Sequence, residues 1–177
     1  MGILKKILLF ILALIGLFLL LGLVIDKEYT VSHSITINKP QQEVFNYMKL
    51  FKNQEKYSVW VMADSNIKLK YEGEDGTVGA KVFWDGNDDV GAGSQTITKI
   101  TNERIDVDLY LYFIRPMEGN QKGATIVKAI DANSCTVTEE FYGNDPYPMN
   151  ALSFIGKYFI KDAFTKNGEN VKKILEK

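Results

Sequence analysis

Between Ile7 and Ile25 the chain carries no charged side chain, and the run is almost entirely Leu, Ile, Phe, Val, Ala and Gly. Nineteen residues of helix at about 1.5 Å each reach about 28 Å, close to the hydrocarbon thickness of a bilayer. A soluble core helix would keep a polar face, and this run has none. Secretory signal peptides have shorter apolar cores and end on a small-x-small cleavage site. Here Leu20 stands two positions before Gly22, and the one cysteine, Cys135, is too distant to carry a lipid. The expectation is an uncleaved anchor over residues 1–28, transmembrane from about 7 to 25, with a cleaved leader as the alternative. Lys5 and Lys6 precede the run, while Asp26, Lys27 and Glu28 follow it. Counting basic residues puts the N-terminus in the cytoplasm and the following domain outside, with Lys27 and Lys39 partly offsetting the leading pair.

The residues beyond the anchor suit one domain with a sizeable core, 29–177. Apart from Lys5 and Lys6 the chain has 19 basic and 22 acidic side chains, a net of −3, with the two signs interspersed. No basic stripe points to nucleic acid. A single cysteine excludes an internal disulfide.

The domain begins with period-two alternation. In TVSHSITIN, Val31, His33, Ile35 and Ile37 share one face and Thr30, Ser32, Ser34 and Thr36 the other. Asn38-Lys39-Pro40 stops this strand and opens a helix, QQEVFNYMKLF, with Val44, Phe45, Met48 and Phe51 as its apolar stripe. KNQEKYSVW reads as a polar connection. Strands follow in IKLKYEG, VGAKVFWDG, SQTITKIT, ERIDVDLYLYFIRP, ATIVKAI and CTVTEEFYG, divided by turns rich in Gly, Asn and Asp. In the strongest of them Ile105, Val107, Leu109, Leu111 and Phe113 face one way and Asp106, Asp108, Tyr110 and Tyr112 the other. A long helix begins near Pro148. Its second half carries a stripe at Ile160, Phe164, Gly168, Val171 and Leu175, while its first half, MNALSFIGKYF, is apolar on nearly every side. Gly168 weakens a helix relative to Ala, which makes sense where another element crosses closely. The predicted class is α+β: a curved antiparallel sheet with one dry face, covered by the C-terminal helix.

This order of elements, with the phrases SITINKPQQEVFNYM and YEGEDGTVGAKVFWDGNDDVGAGSQTI, resembles the START-like superfamily, also called SRPBCC or polyketide cyclase/dehydrase-like. The W-x-G-N-x-x-V-G-x-G turn from Trp84 to Gly93 carries more of the resemblance than the helix pattern does. The resemblance covers about residues 29–177. It implies a helix-grip fold, in which the sheet wraps the long helix and the space between them receives lipids, sterols or aromatic polyketides. Fold alone does not assign a function.

The residue inventory favours binding over catalysis. Asp85, Asn87 and Asp89 fit the first half of a calcium loop, but Val90 stands where Gly is required and Thr96 where Glu is required. One histidine, His33, and one cysteine leave no zinc set or Cys–His pair, and no G-x-S-x-G elbow occurs. No motif calls for a cofactor. The candidate ligand-binding residues are instead Trp60, Tyr71, Trp84, Leu109, Leu111, Glu139, Phe141 and Phe154. Glu139 stands out, because alternation turns it inward between Val137 and Phe141, where a carboxylate is costly unless paired, hydrated or neutral. Tyr71 or the Trp84 indole are its expected partners. The expected function is binding of a small hydrophobic molecule or lipid by a membrane-tethered domain. The alternatives are a structural or protein-interaction module with a filled core, and a polyketide cyclase-like enzyme.

Overall fold

The computed structural model describes residues 2–112 and 118–177. Helix α1 spans Ile3–Val24 and is long and apolar enough to cross a bilayer; of its residues only Gly22 is buried against the rest of the protein. Strand β1 (Glu28–Ile37) leads into α2 (Gln41–Met48), a 3-10 turn (Phe51–Asn53), and two single-turn helices, α3 (Gln54–Tyr57) and α4 (Val59–Met62). Six strands follow: β2 (Lys68–Glu72), β3 (Lys81–Asp85), β4 (Ala92–Ile100), β5 (Arg104–Tyr112), β6 (Glu118–Ala129) and β7 (Cys135–Asn144). A 3-10 turn at Met149–Leu152 precedes the long helix α5 (Ser153–Leu175).

The seven strands form one antiparallel sheet in the order β1-β7-β6-β5-β4-β3-β2. Consecutive strands from β2 to β7 are neighbours, and β1 closes the far edge against β7, which brings the beginning and end of the domain together. A bulge between Ile97 and Lys99 adds local bend where β4 meets β5. Helix α5 packs along β1 and touches β7. At the crossing, a Cβ on Gly168 would stand 3.0 Å from Cγ2 of Ile35, so the absence of a side chain is what allows the close approach. This is the helix-grip arrangement expected from the sequence.

The main core lies between the sheet and α2. Ile37, Val44, Phe45, Met48, Phe51, Val82, Ile97, Val107, Val127 and Val137 are all buried there, with Val171 from α5. The inward rows of β1, β5 and β7 agree with the alternation read there, and Phe113 lies outside the described residues. The segment KNQEKYSVW is not a plain connection: it forms α3 and α4. Two asparagines of α5 hold these turns, Asn167 Oδ1 accepting from the Val59 amide at 2.8 Å and Asn170 Nδ2 donating to the Tyr57 carbonyl at 3.0 Å. Strand β6 also begins earlier than its apolar pattern does, at Glu118.

The glycine- and aspartate-rich turn has a structural role. Asn87 Oδ1 accepts from the amides of Asp89 and Val90, each at 3.1 Å, and Asp64 Oδ2 accepts from the Asn87 amide at 2.8 Å. Gly91 adopts φ +69°, and Val90 is buried beneath the turn. Trp84 and Gly93, the two ends of the W-x-G-N-x-x-V-G-x-G phrase, pair directly across β3 and β4.

Candidate functional site

Glu139 sits on β7 with Val137 and Phe141 buried on either side of it along the strand. Its strand neighbours are His33 on β1 and Thr125 on β6. No ion pair or hydrogen bond to its carboxyl is found among the described residues. Burial disfavours the charged form, and the carboxyl pKa is pushed up to about 8. The side chain nevertheless keeps some accessible surface. The residue is therefore largely enclosed by protein while retaining partial exposure.

Tyr57 from α3 faces it, and further tyrosine and glutamine side chains gather around Tyr57. Tyr57 on α3 is buried, and burial together with the field of Glu139 raises its hydroxyl pKa well above the ordinary value. Gln54, one turn earlier, bonds the Tyr57 hydroxyl and donates through Nε2 to Gln95 Oε1 on β4 at 3.1 Å. The Tyr47 ring lies 6.2 Å from that of Tyr57, and its buried hydroxyl has no partner among the described residues. Glu139, Tyr57, Tyr47, Gln54 and Gln95 thus place polar atoms inside a predominantly apolar interior. At neutral pH a carboxyl with this pKa is largely protonated and can offer a ligand a hydrogen-bond donor; above about pH 8 it offers only acceptors.

The apolar candidates divide into three groups. Leu109, Leu111 and Phe141 come together in a cluster with Val31, Phe164, Tyr29 and Ile160, next to α5. Leu109 also packs against the main core, as does Tyr71. Trp60 meets this region edge-on, its ring 6.2 Å from Phe164, while remaining 40 % exposed. Trp84 turns inward and lies over Gly93, where a Cβ would overlap the indole and the Tyr110 carbonyl oxygen. Phe154 does not join them: it is 63 % exposed on the outer side of α5.

Neither expected partner of Glu139 serves it. The Tyr71 hydroxyl donates to Glu55 Oε1 at 2.7 Å, and no bond from the Trp84 indole to Glu139 is found among the described residues. The sequence reading missed Tyr57, Tyr47, Gln54 and Gln95. Gln95 was accessible to it, since period two in SQTITKIT places Gln95 and Ile97 on the same face. The other three depend on how α2 and α3 dock. His33 is placed differently again: Nδ1 lies 3.3 Å from Thr165 Oγ1 on α5.

The opposite, outer face of the sheet carries a separate polar network. Arg104 Nε donates to Asp106 at 2.7 Å, Nη1 to Glu140 at 3.2 Å and Nη2 to the Tyr142 hydroxyl at 2.9 Å, while that hydroxyl donates to Glu140. These partly exposed groups tie β5 to β7 across the small Ala124 of β6.

No protein-family model and no curated protein matches this sequence. Solved structures do match in fold. Norcoclaurine synthase from Thalictrum flavum, solved with dopamine and hydroxybenzaldehyde, superposes with a TM-score of 0.65 at 12 % identity, over 88 % of this chain and 90 % of that one. The Zhui aromatase/cyclase from Streptomyces sp. R1128 gives 0.61 at 12 % identity, over 84 % and 94 %. A Mesorhizobium loti protein gives 0.61 at 15 % identity, over 84 % and 97 %.

Proposed function

For a chain with the helix-grip fold of START-like, polyketide cyclase-like proteins, we propose that the interior between the sheet and α5 receives a small hydrophobic molecule or lipid. The observation that carries this reading is the carboxyl of Glu139, set without an ion pair among the described residues in an apolar interior that does not fully enclose it. A solid core would gain stability by placing an aliphatic residue there. A ligand with an apolar body and one polar group accounts for both halves of the arrangement. Leu109, Leu111, Trp84 and Phe141 contact the body, and Glu139 with Tyr57 receives the polar group. Trp60 stands at the α4 end of the cleft.

Two of the fold relatives are named as a synthase and an aromatase/cyclase, and one of those was solved with two small aromatic molecules. These names agree with a ligand-receiving interior. Their chemistry is not carried over, because the histidine lies off to one side against Thr165 and the interior carboxyl has no basic partner among the described residues. Residues 1–28 form the anchor and 29–177 the binding domain, held at a membrane with the domain on the extracytoplasmic side. Labelling of an Asn133→Cys variant by an impermeant thiol reagent in intact cells reads that side directly; labelling only after lysis reverses it.

The ligand reading is tested on the full chain extracted in lipid nanodiscs. Binding of an apolar fluorescent probe is compared for wild type, Trp84→Ala and Glu139→Leu, with unfolding measured in parallel. Trp84→Ala should weaken probe binding beyond its effect on stability. Glu139→Leu should raise stability while weakening probes that carry a polar group. Probe binding that is absent in wild type, or unchanged in both variants, returns the domain to a filled structural module.

A further inference from the structure

One face of α5 changes character along its length. At 100° per residue, Phe154, Tyr158, Ile155 and Phe159 sweep an arc of about 140° opposite the buried side, which runs through Ile160, Ala163, Phe164 and Asn167, and Leu152 ends the 3-10 turn just before it. All five are exposed, Phe154 at 63 %, Tyr158 at 71 % and Phe159 at 64 %. Beyond Ile160 the same arc continues as Asp162, Thr165, Lys166, Glu169 and Lys173, and Lys166 pairs with Asp162 at 2.6 Å. The apolar surface is therefore confined to the first two turns.

Those turns are fixed to the end of α1. Asn150, fully buried in the 3-10 turn before α5, donates through Nδ2 to the carbonyl oxygens of Gly22 at 2.7 Å and Ile25 at 2.5 Å. Gly22 has no side chain to hold the two apart: a Cβ there would stand 3.0 Å from the Tyr147 ring and 3.2 Å from Asn150 Oδ1. The last turn of α1 is thus joined to the 3-10 turn that leads directly into α5.

We infer that the exposed face formed by Leu152, Phe154, Ile155, Tyr158 and Phe159 lies in the interfacial layer of the membrane that α1 spans. The inference rests on the anchor reading of α1. The occupant follows from position and composition. If α1 crosses the bilayer, Val24 and Ile25 mark its surface, and Asn150 puts Leu152 within a turn of that level. Aromatic side chains with one polar tip, such as Tyr158, favour the headgroup boundary. Lys161, exposed at one edge of the arc, extends its charge toward water from such a site. A face tethered in this way meets the bilayer without a separate encounter, so modest apolar burial suffices to hold it there.

The test uses the full chain in phosphatidylcholine nanodiscs with bromine-labelled acyl chains, on a Cys135→Ala background. An environment-sensitive fluorophore is attached in turn at Phe154→Cys, Phe159→Cys, Asn133→Cys and Leu12→Cys. Labels at 154 and 159 should be blue-shifted and quenched by bromolipid, and the label at 133 should be neither. Quenching at 12 but not at 154 or 159 overturns the interfacial face while leaving the anchor in place. A blue shift at 154 and 159 without lipid quenching assigns the face to a second copy and likewise overturns it. Quenching at none of these positions removes the anchor reading and the inference together.

Discussion

His33 and Glu139 oppose each other across the β1–β7 pair on the inward side of the sheet, yet they serve different elements. His33 Nδ1 meets Thr165 Oγ1 on α5 at 3.3 Å, while Glu139 faces the interior where Tyr57 stands. No bond between His33 and the Glu139 carboxyl is found among the described residues, so the two do not make an acid–base pair. Glu139 is left with His33, Thr125 and Tyr57 as its polar surroundings from β1, β6 and α3, none of them shown to compensate its charge.

That isolation gives a pH dependence with a definite sign. In the folded chain the Glu139 carboxyl has a pKa pushed up to about 8; in the unfolded chain it returns to about 4.3. Between these values the folded state holds a proton that the unfolded state has released. Stability therefore falls as pH rises through this window and levels off above it, with a slope of at most about 1.4 kcal/mol per pH unit from this group. Glu139→Gln keeps the shape and the hydrogen bonding and removes the titration. Urea unfolding of wild type and variant at pH 5, 6, 7 and 8 should show the variant gaining on wild type as pH rises. Parallel curves would mean that the carboxyl is solvated and titrates near its ordinary value.

A second expectation concerns Gly93, which faces Trp84 on β3 and Leu111 on β5. Its backbone carries no unusual φ, so the glycine is required by space alone. A Cβ there would overlap both the Trp84 ring and the Tyr110 carbonyl oxygen. The ring can shift, but the backbone oxygen cannot do so without disturbing the sheet. Gly93→Ala should cost about 1–3 kcal/mol, the range of overpacked core positions. Combining it with Trp84→Ala should recover only the part due to the ring. Full recovery in the double variant, measured by chemical unfolding, would show that the oxygen does not constrain the site.

The parts of this fold that were legible in the sequence are those in which a period repeats long enough to fix a phase. Alternation over nine or ten residues oriented β1, β5 and β7, and placed Glu139 inward before any coordinates. The stripe from Ile160 to Leu175 oriented the second half of α5, including the close crossing at Gly168. The Trp84–Gly93 phrase was recognisable because a hairpin brings its ends into register. What was missed had no such period. Helices α3 and α4 are single turns held by Asn167 and Asn170 from over a hundred residues away. The first part of β6, Glu118-Gly-Asn-Gln-Lys, is polar and is extended by pairing with β5 rather than by its own pattern. Phe154 was assigned to the pocket because the first half of α5 is apolar all round, which leaves its phase undetermined. Tyr57 is brought to Glu139, and Gln54 to Tyr57, through the docking of a helix, and no local pattern records that.

The junction at Asn150 separates two explanations by the order of two substitutions. The last carbonyls of a helix lack partners within it, and Asn150 supplies an N–H to Gly22 and Ile25. The amide must be oriented this way, since two carbonyl oxygens require a donor. Asn150→Ala removes the donor and should cost about 1–3 kcal/mol at the junction. Asn150→Asp is close in shape but turns a carboxylate oxygen toward those carbonyls inside the protein, and it should be worse than Ala. Amide hydrogen exchange on the full chain in nanodiscs reads the effect locally. Protection over residues 22–28 and 145–155 should fall in the order wild type, Ala, Asp, while the β4–β5 core stays protected in all three. Were Asn150 only filling space, Asp would be tolerated better than Ala, and that reversed order would dismantle the junction on which the interfacial placement of α5 depends.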